Sequence, residues 1–240
     1  MMPLLEVCVG DPESLSAAVE GGADRIELCS ALELGGLTPG PGLIALAARV
    51  AVPVYAMVRP RGGDFVFSKS EVAAMLADIT AIRAVGLAGV VLGCSRPDGR
   101  LDRDTLQALL EAAHGLGTTL HRAFDLVPEI EPAVETAVEL GFERILSSGR
   151  ARTAVDGADD LRRAHEAARG RIAIMAGSGV NAGNVGALRQ KVPLDEWHGS
   201  CSAPVGTPSA RAVELGFASP GAAKRTSVNE VRRMKAAIAR

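Results

Sequence analysis

The chain has 240 residues, of which 48% are hydrophobic and 3% aromatic, and its 26 basic and 28 acidic side chains leave a formal net charge of −2. This near balance argues against a nucleic-acid-binding surface, and no apolar run approaches the roughly 20 residues that a membrane span needs. Because the first residues lack the basic segment and long apolar run of a signal peptide, a cytoplasmic protein is expected.

One unit recurs along the chain: a helical pattern, a glycine, and a short apolar run that ends in polar residues. The first helix is expected to begin with Asp11 as a carboxylate N-cap and Pro12 at its first position. Ser68 and Glu71 have the spacing of a capping box, as do the residues from Ser227 that start the last helix. The apolar runs are predicted to be strands at residues 4–9, 23–29, 52–59, 89–92, 118–121, 144–147, 172–175 and 196–199.

These strands are short, apolar and rich in β-branched residues, which is typical of parallel strands buried on both faces. Strands that alternate with helices predict a parallel sheet, either open or closed into a barrel. Eight such units favour a (β/α)8 TIM-type barrel that forms a single domain over residues 1–240. The open alternative calls for a glycine-rich turn after the first strand, which residues 9–12 do not provide. Residues 200–226 are rich in Gly, Pro, Ser and Ala and are predicted to be a long loop.

The first two strands each carry a Glu-x-Cys pair, Glu6 with Cys8 and Glu27 with Cys29. Alternate residues of a strand share a face, and the apolar residues between them suit the helix-facing side, so both pairs are expected to point into the barrel. Buried carboxylates need cations nearby. The third strand ends in two candidate cations, Arg59 and Arg61, and these two residues and Asp64 are candidates for ligand binding. The alternative is a salt-bridge lattice inside the barrel with no substrate.

Histidines lie at two strand ends, where barrel active sites form. His121 and Asp125 follow the fifth strand with the same parity, so both are expected to face the mouth, with His121 as a general acid or base. The alternative is that the ring of His121 only forms hydrogen bonds with neighbouring backbone groups and has no role in catalysis. His198 at the end of the eighth strand is a similar candidate, whereas His114 and His165 are predicted to lie on helices and to be solvated.

Small residues follow the sixth and seventh strands, where barrels often bind phosphate at the start of a helix. Ser148 and the turn that contains Gly177 and Gly179 are therefore candidate substrate-binding residues, with a helix expected to start near Val180. The alternative is that these glycines only let strand and helix pack closely.

The four cysteines are scattered and are expected to be free thiols. Cys8 and Cys29 could hold Cu(I) as a pair of thiolates, because soft ligands favour that ion. Two cysteines at this spacing do not suit a four-ligand structural zinc site. The alternative is that both are buried and act as small hydrophobic residues.

These motifs together resemble the CutC family over essentially the whole chain, through LLEVCV, GGADRIELCS, LGGLTPG, VRPRGGDF, LHRAFD, LSSG and MAGSGV. The resemblance implies a TIM barrel, a cytoplasmic location, a homo-oligomer and a link to copper homeostasis, with Cys8 and Cys29 as Cu(I) ligands. Gly40, Gly199 and residues 203–226 depart from the family pattern. The resemblance carries over to Glu6, Cys8, Glu27, Cys29, Thr38, Arg59, Arg61, Asp64, His121, Arg122, Asp125 and His198.

Two functions from different classes follow, with a small anion or Cu(I) as the ligand. The first is a copper-homeostasis protein that binds Cu(I) without catalysis. The second is an enzyme acting on a small phosphorylated or carboxylated metabolite, in which Arg59 and Arg61 clamp the anion and His121 moves a proton with Glu6 or Glu27. A third interpretation, a barrel used as an interaction scaffold, requires a plugged mouth.

Overall fold

The computed structural model describes residues 3–239. Its centre is a closed barrel of eight parallel strands, in which each strand pairs with the next along the chain and the last pairs with the first. This confirms the predicted (β/α)8 barrel. The strands are β1 (Leu4–Val9), β2 (Arg25–Leu28), β3 (Val54–Met57), β4 (Gly89–Leu92), β5 (Gly117–Leu120), β6 (Arg144–Ser147), β7 (Ala173–Ala176) and β8 (Glu196–Gly199).

Helices follow the strands and cover the outside of the barrel. They are α1 (Pro12–Gly21), α2 (Pro41–Ala47), α3 (Lys69–Val85), α4 (Arg103–Ala112), α5 (Ile130–Glu139), α6 (Ala158–Ala168), α7 (Val185–Lys191), α8 (Ala210–Glu214) and α9 (Val228–Ile238). The predicted caps of α1 and α3 are confirmed, since Asp11 accepts a hydrogen bond from the Ser14 N–H and Ser68 forms a capping box with Glu71. The box predicted for α9 is wrong, because the Ser227 side chain makes no cap hydrogen bond. Within residues 3–239, none of the helices combines the length and apolar character needed to traverse a bilayer.

The segment after β8 differs from the long loop that its composition suggested. Two antiparallel strands, β9 (Ser202–Gly206) and β10 (Ala223–Thr226), form a ribbon with α8 between them. Thr226 fixes this ribbon to the barrel, because its Oγ1 donates a hydrogen bond to the Ser200 carbonyl at 3.0 Å. The strands are short and contain proline and small residues, so they carry no periodic apolar signal that a sequence can show.

The amino-terminal end of the barrel interior is filled by side chains. The Tyr55 ring lies under the guanidinium groups of Arg25 and Arg144, which sit 5.5 and 4.9 Å from its centroid. Gly89 and Gly117 make room for this ring, because a Cβ at either position would lie within 2.3 Å of a Tyr55 atom. Because these side chains fill this end of the interior, we expect a ligand to bind at the carboxyl ends of the strands, as in other barrels of this type.

Candidate functional site

The barrel closes around a fully buried carboxylate on β1. Glu6 contacts the guanidinium of Arg25 on β2, and its Oε1 lies 2.8 Å from Nδ1 of His198 on β8. Burial raises the pKa of Glu6, but the charges of Arg25 and His198 and their hydrogen bonds bring it down to about 2. Glu6 is therefore ionised and holds His198 by one ring nitrogen.

The cation that neutralises Glu6 is one that the sequence analysis missed. Arg25 is 4% exposed and also contacts Glu196 on β8, so it bridges two inward-facing carboxylates. The expected partners, Arg59 and Arg61, do not contact Glu6. A signal for Arg25 existed, because it shares its strand parity with Glu27 and pairs in register with Glu6.

Above Glu6, three possible metal ligands converge. One donor atom each from Cys8, Glu27 and His198 lies within 4.8 Å of the other two. Nε2 of His198 is 3.8 Å from Oε2 of Glu27. Burial lowers the pKa of His198, but the charge of Glu27 and the contacts with Cys8 and Glu6 raise it well above its usual value. These side chains come from β1, β2 and β8, and β8 lies next to β1 only because the barrel is closed.

Cys29 lies outside this group. It is fully buried, its Sγ contacts Oε2 of Glu27 at 3.5 Å, and a Cβ at Gly36 would lie 3.0 Å from the sulfur. Burial and the charge of Glu27 raise the pKa of the Cys29 thiol well above its usual value. All four cysteines are free thiols, as predicted.

A cavity of about 220 Å³ opens at the carboxyl ends of the strands, directly above the metal-ligand group. Six of the fifteen residues predicted for the site line this cavity, and Glu6 lies beneath it. The lining residues include Cys8, Glu27, Met57, Arg59, Phe65, His121, Arg122, Ser178 and His198.

His121 forms one wall of this cavity, just after β5. Its Nδ1 accepts a hydrogen bond from the Ala123 N–H at 3.1 Å, and its ring packs against Phe65 at an angle of 44° with centroids 4.6 Å apart. Burial and the charge of Arg59 lower the pKa of His121 to about 3, so the ring is neutral and carries its proton on Nε2. The structure brings Glu6 and Glu27 to His198 rather than to His121.

Arg59 lies in the same wall as His121, since both contact the Phe65 ring, and it holds two loops together. Its guanidinium donates three hydrogen bonds to carbonyl oxygens, those of Leu34, Gly36 and Gly63. Its backbone N–H donates to Oγ1 of Thr38 at 3.0 Å, which places Thr38 as a brace between loops rather than in the cavity wall.

Arg61 and Asp64 lie away from the cavity. Arg61 binds Glu71 at the start of α3 at 2.6 Å and Asp64 at 3.0 Å, and both residues are on the outer surface. The turn at Gly62 and Gly63, where Gly63 has φ of +87°, carries this segment away from the barrel axis. The expected clamp of Arg59 and Arg61 is therefore not assembled in this structure.

Asp125 does not face the mouth as strand parity suggested. Residues Arg122–Leu126 form a 3₁₀ turn, so alternation ends with β5. The Asp125 carboxylate instead accepts hydrogen bonds from Ser147 Oγ at 2.6 Å and from the Ser148 N–H at 3.1 Å. It also pairs with Arg122 at 2.6 Å, and Arg122 reaches Ser148 Oγ at 2.7 Å. Asp125 and Ser148 thus position Arg122 at the cavity.

The turn after β7 borders a second, adjoining cavity of about 400 Å³, which Cys8, Gly179, His198 and Lys224 help to line. Gly177 is packed tightly, because a Cβ there would lie 2.6 Å from Leu146 Cδ1. The following helix begins at Val185, five residues after the expected start, so this turn does not lie at a helix N-terminus.

Comparisons with known proteins agree with the residue patterns. A model of the CutC family matches residues 3–203. A CutC family protein of Sinorhizobium medicae is 54% identical over 235 residues, covering 98% of this chain and 96% of that protein. A CutC family protein of Caulobacter vibrioides is 52% identical over 219 residues, covering 90% of this chain and 89% of that protein. A crystal structure described as that of a copper homeostasis protein CutC from Streptococcus agalactiae is 32% identical, has a TM-score of 0.79 and covers 83% of this chain and 99% of that one. The chain belongs to the CutC family.

Proposed function

We propose that the protein binds a thiophilic metal ion at the mouth of its barrel, with Cys8, Glu27 and His198 as ligands. The observation that carries the proposal is the convergence of three donor atoms, a sulfur, an imidazole nitrogen and a carboxylate oxygen, within 4.8 Å of one another. Three protein ligands beside an open cavity are typical of metal sites that keep one coordination position for a further ligand.

The surroundings of His198 support this proposal. A metal-ligating histidine commonly donates its other ring N–H to a carboxylate, which fixes the ring and raises its basicity as a ligand. Glu6 occupies that position at 2.8 Å from Nδ1, and Arg25 in turn holds Glu6. Nε2 faces Glu27, and an ion would bind there by displacing the proton of that nitrogen.

Copper is the ion that we propose the protein handles in the cell, in line with the role given to the relative from Streptococcus agalactiae. A cysteine sulfur and an imidazole nitrogen are ligands that Cu(I) accepts. The carboxylate of Glu27 is a harder ligand, so the same group also suits Zn²⁺. Binding of either ion is expected to require Cys8 and His198. A homo-oligomer and a cytoplasmic location stay predictions from the family resemblance.

Binding of Cu(I) by the pair of Cys8 and Cys29 also stays a prediction, and it requires a different ionisation state of the site. Both thiols would have to ionise, and the Cys29 thiolate would be buried next to the Glu27 carboxylate at 3.5 Å. A buried anion beside a like charge is costly. Ligation through His198 and Cys8 reduces this cost, since only one thiolate is formed and Cys8 is less buried than Cys29.

A titration separates the two arrangements. Cu(I), with a chelator as competitor, and Zn²⁺ are each titrated into wild type, Cys8→Ser, His198→Gln, Cys29→Ser and, as a control at a distant buried thiol, Cys94→Ser. We expect Cys8→Ser and His198→Gln to weaken binding by about a hundredfold or more, because loss of a ligand exceeds loss of an outer-shell partner. Cys29→Ser and Cys94→Ser are expected to match wild type. Loss in Cys29→Ser with no loss in His198→Gln would instead support the cysteine pair.

A further inference from the structure

Arg59 is a buried cation without a carboxylate partner among the described residues 3–239. It is 4% exposed, and its guanidinium donates only to the carbonyl oxygens of Leu34, Gly36 and Gly63. Its Nε has no hydrogen-bond partner in that part of the chain. The Phe65 ring, 4.8 Å from the guanidinium carbon, covers one face of the group. A buried charge normally has a counter-charge, so Arg59 leaves a place for an anion.

His121 offers a second donor in the same cavity wall. The ring is 3% exposed, and its Nε2 has no partner in residues 3–239. Because Nδ1 accepts the Ala123 N–H, the single proton of the neutral ring lies on Nε2, which makes that nitrogen a donor. A buried donor without a partner costs free energy until a ligand or water supplies an acceptor.

The cavity that Arg59 and His121 line is small and has two unlike walls. One wall holds the metal-ligand group of Cys8, Glu27 and His198, and the other holds the donors, with Arg122 among them. The volume of about 220 Å³ is below the roughly 300–1,000 Å³ of pockets for drug-sized ligands. The occupant that fits is therefore a small molecule with oxygen atoms on both sides.

We infer that this cavity binds a small organic acid that carries a hydroxyl or keto oxygen beside its carboxylate. The carboxylate takes hydrogen bonds from His121 and Arg59, and the neighbouring hydroxyl or keto oxygen would take the open coordination position of the metal ion. The contact with the metal ion rests on the metal site proposed above. The contact of the carboxylate depends only on Arg59 and His121, which we call the donor wall.

His121→Asn is the variant that tests the donor wall most cleanly. An asparagine Oδ1 can accept the N–H two residues on, as in an Asx turn, so it can keep the Ala123 hydrogen bond while the Nε2 donor is lost. Arg61→Ala is the matched control, because Arg61 is paired with Glu71 and Asp64 outside the cavity. The probes are acetate, lactate, malate and inorganic phosphate, titrated calorimetrically into metal-free and Zn²⁺-loaded protein.

We expect lactate and malate to bind Zn²⁺-loaded wild type more tightly than acetate, which lacks the second oxygen. His121→Asn is expected to weaken lactate binding about tenfold to a hundredfold, which is the effect of losing one hydrogen bond to a charged group. Arg61→Ala is expected to bind like wild type. If Zn²⁺ binds but none of the organic acids does, or if His121→Asn binds them equally well, this inference is wrong and the metal site stands. If Zn²⁺ does not bind, the metal proposal fails. Lactate binding to metal-free wild type that is lost in His121→Asn would then still support the donor wall. Absence of lactate binding to metal-free wild type would overturn it.

Discussion

Nδ1 of His198 on β8 lies 2.8 Å from Oε1 of Glu6 on β1, across the seam where the last strand pairs with the first. The two residues are 192 positions apart in the chain, so this contact exists only when the barrel is closed. Closure of the barrel is therefore what orients His198, the candidate metal ligand. This coupling gives the first prediction.

Glu6→Gln is expected to weaken metal binding without removing a ligand. A neutral amide holds the imidazole of His198 less firmly than a carboxylate and does not raise its basicity as a ligand. Loss of such an outer-shell carboxylate typically lowers metal affinity 10–100-fold, and we expect a loss of about this size in a Zn²⁺ titration. Glu196→Gln is the control, because it removes the other carboxylate partner of Arg25 without touching His198. Equal affinities for Glu6→Gln and Glu196→Gln would show that Glu6 only balances the charge of Arg25.

Arg25→Met is expected to destabilise the fold strongly. It removes the arginine from the 0% exposed carboxylate of Glu6 and leaves His198 as the partner, and breaking a buried pair in this way costs about 3–5 kcal/mol. Arg232→Met removes an exposed arginine that pairs with Glu20 at 3.4 Å, and it is expected to cost less than about 1 kcal/mol. Urea unfolding of the two variants measures the difference. Similar small losses would mean that the barrel interior solvates Glu6 without Arg25.

Gly89→Ala is expected to destabilise the closed end of the barrel. The new Cβ would lie 2.3 Å from Tyr55 Cε1 and 2.6 Å from the Gly117 carbonyl oxygen, and such overpacking typically costs about 1–3 kcal/mol. Gly186→Ala in α7 meets no atom within 4 Å and is expected to stabilise by about 0.5 kcal/mol. Thermal unfolding distinguishes them. A neutral Gly89→Ala would show that Tyr55 can leave its place at no cost.

His121 is expected to make the protein less stable as the pH falls. Burial and Arg59 lower its pKa from 6.5 to about 3, so below pH 6.5 the unfolded chain takes up a proton that the folded protein refuses. This contribution to stability is complete above pH 6.5 and is lost as the pH falls toward 3. Between about pH 7 and about pH 5, wild type should lose about 2 kcal/mol of unfolding free energy relative to His121→Asn. A difference that stays constant with pH would mean that His121 titrates normally in the folded protein.

The barrel itself was predictable because its signals are local. Apolar runs bounded by glycine and polar caps gave the eight strands, and the boundaries of β4, β6 and β8 agree with the structure to the residue. The ribbon of β9 and β10 was not predictable in the same way, since it is held by long-range contacts such as the one between Thr226 and Ser200 rather than by its own apolar pattern.

The candidate site was predictable only in part, for a physical reason that differs from residue to residue. Strand parity correctly turned Glu6, Cys8 and Glu27 inward, because those residues lie within strands. Parity failed at Asp125, which lies beyond the end of β5 in a 3₁₀ turn. It also said nothing of which histidine meets the carboxylates, because the pairing of β8 with β1 depends on barrel closure.

Anomalous diffraction from crystals of the protein loaded with Zn²⁺ and, without oxygen, with Cu(I) tests the metal site most directly. The arrangement described here predicts one strong peak at the barrel mouth, about 2.0–2.3 Å from Cys8 Sγ and His198 Nε2, with Glu27 as the third ligand of Zn²⁺. A peak held between Cys8 and Cys29 and remote from His198, or no peak at the mouth in fully loaded crystals, would contradict it.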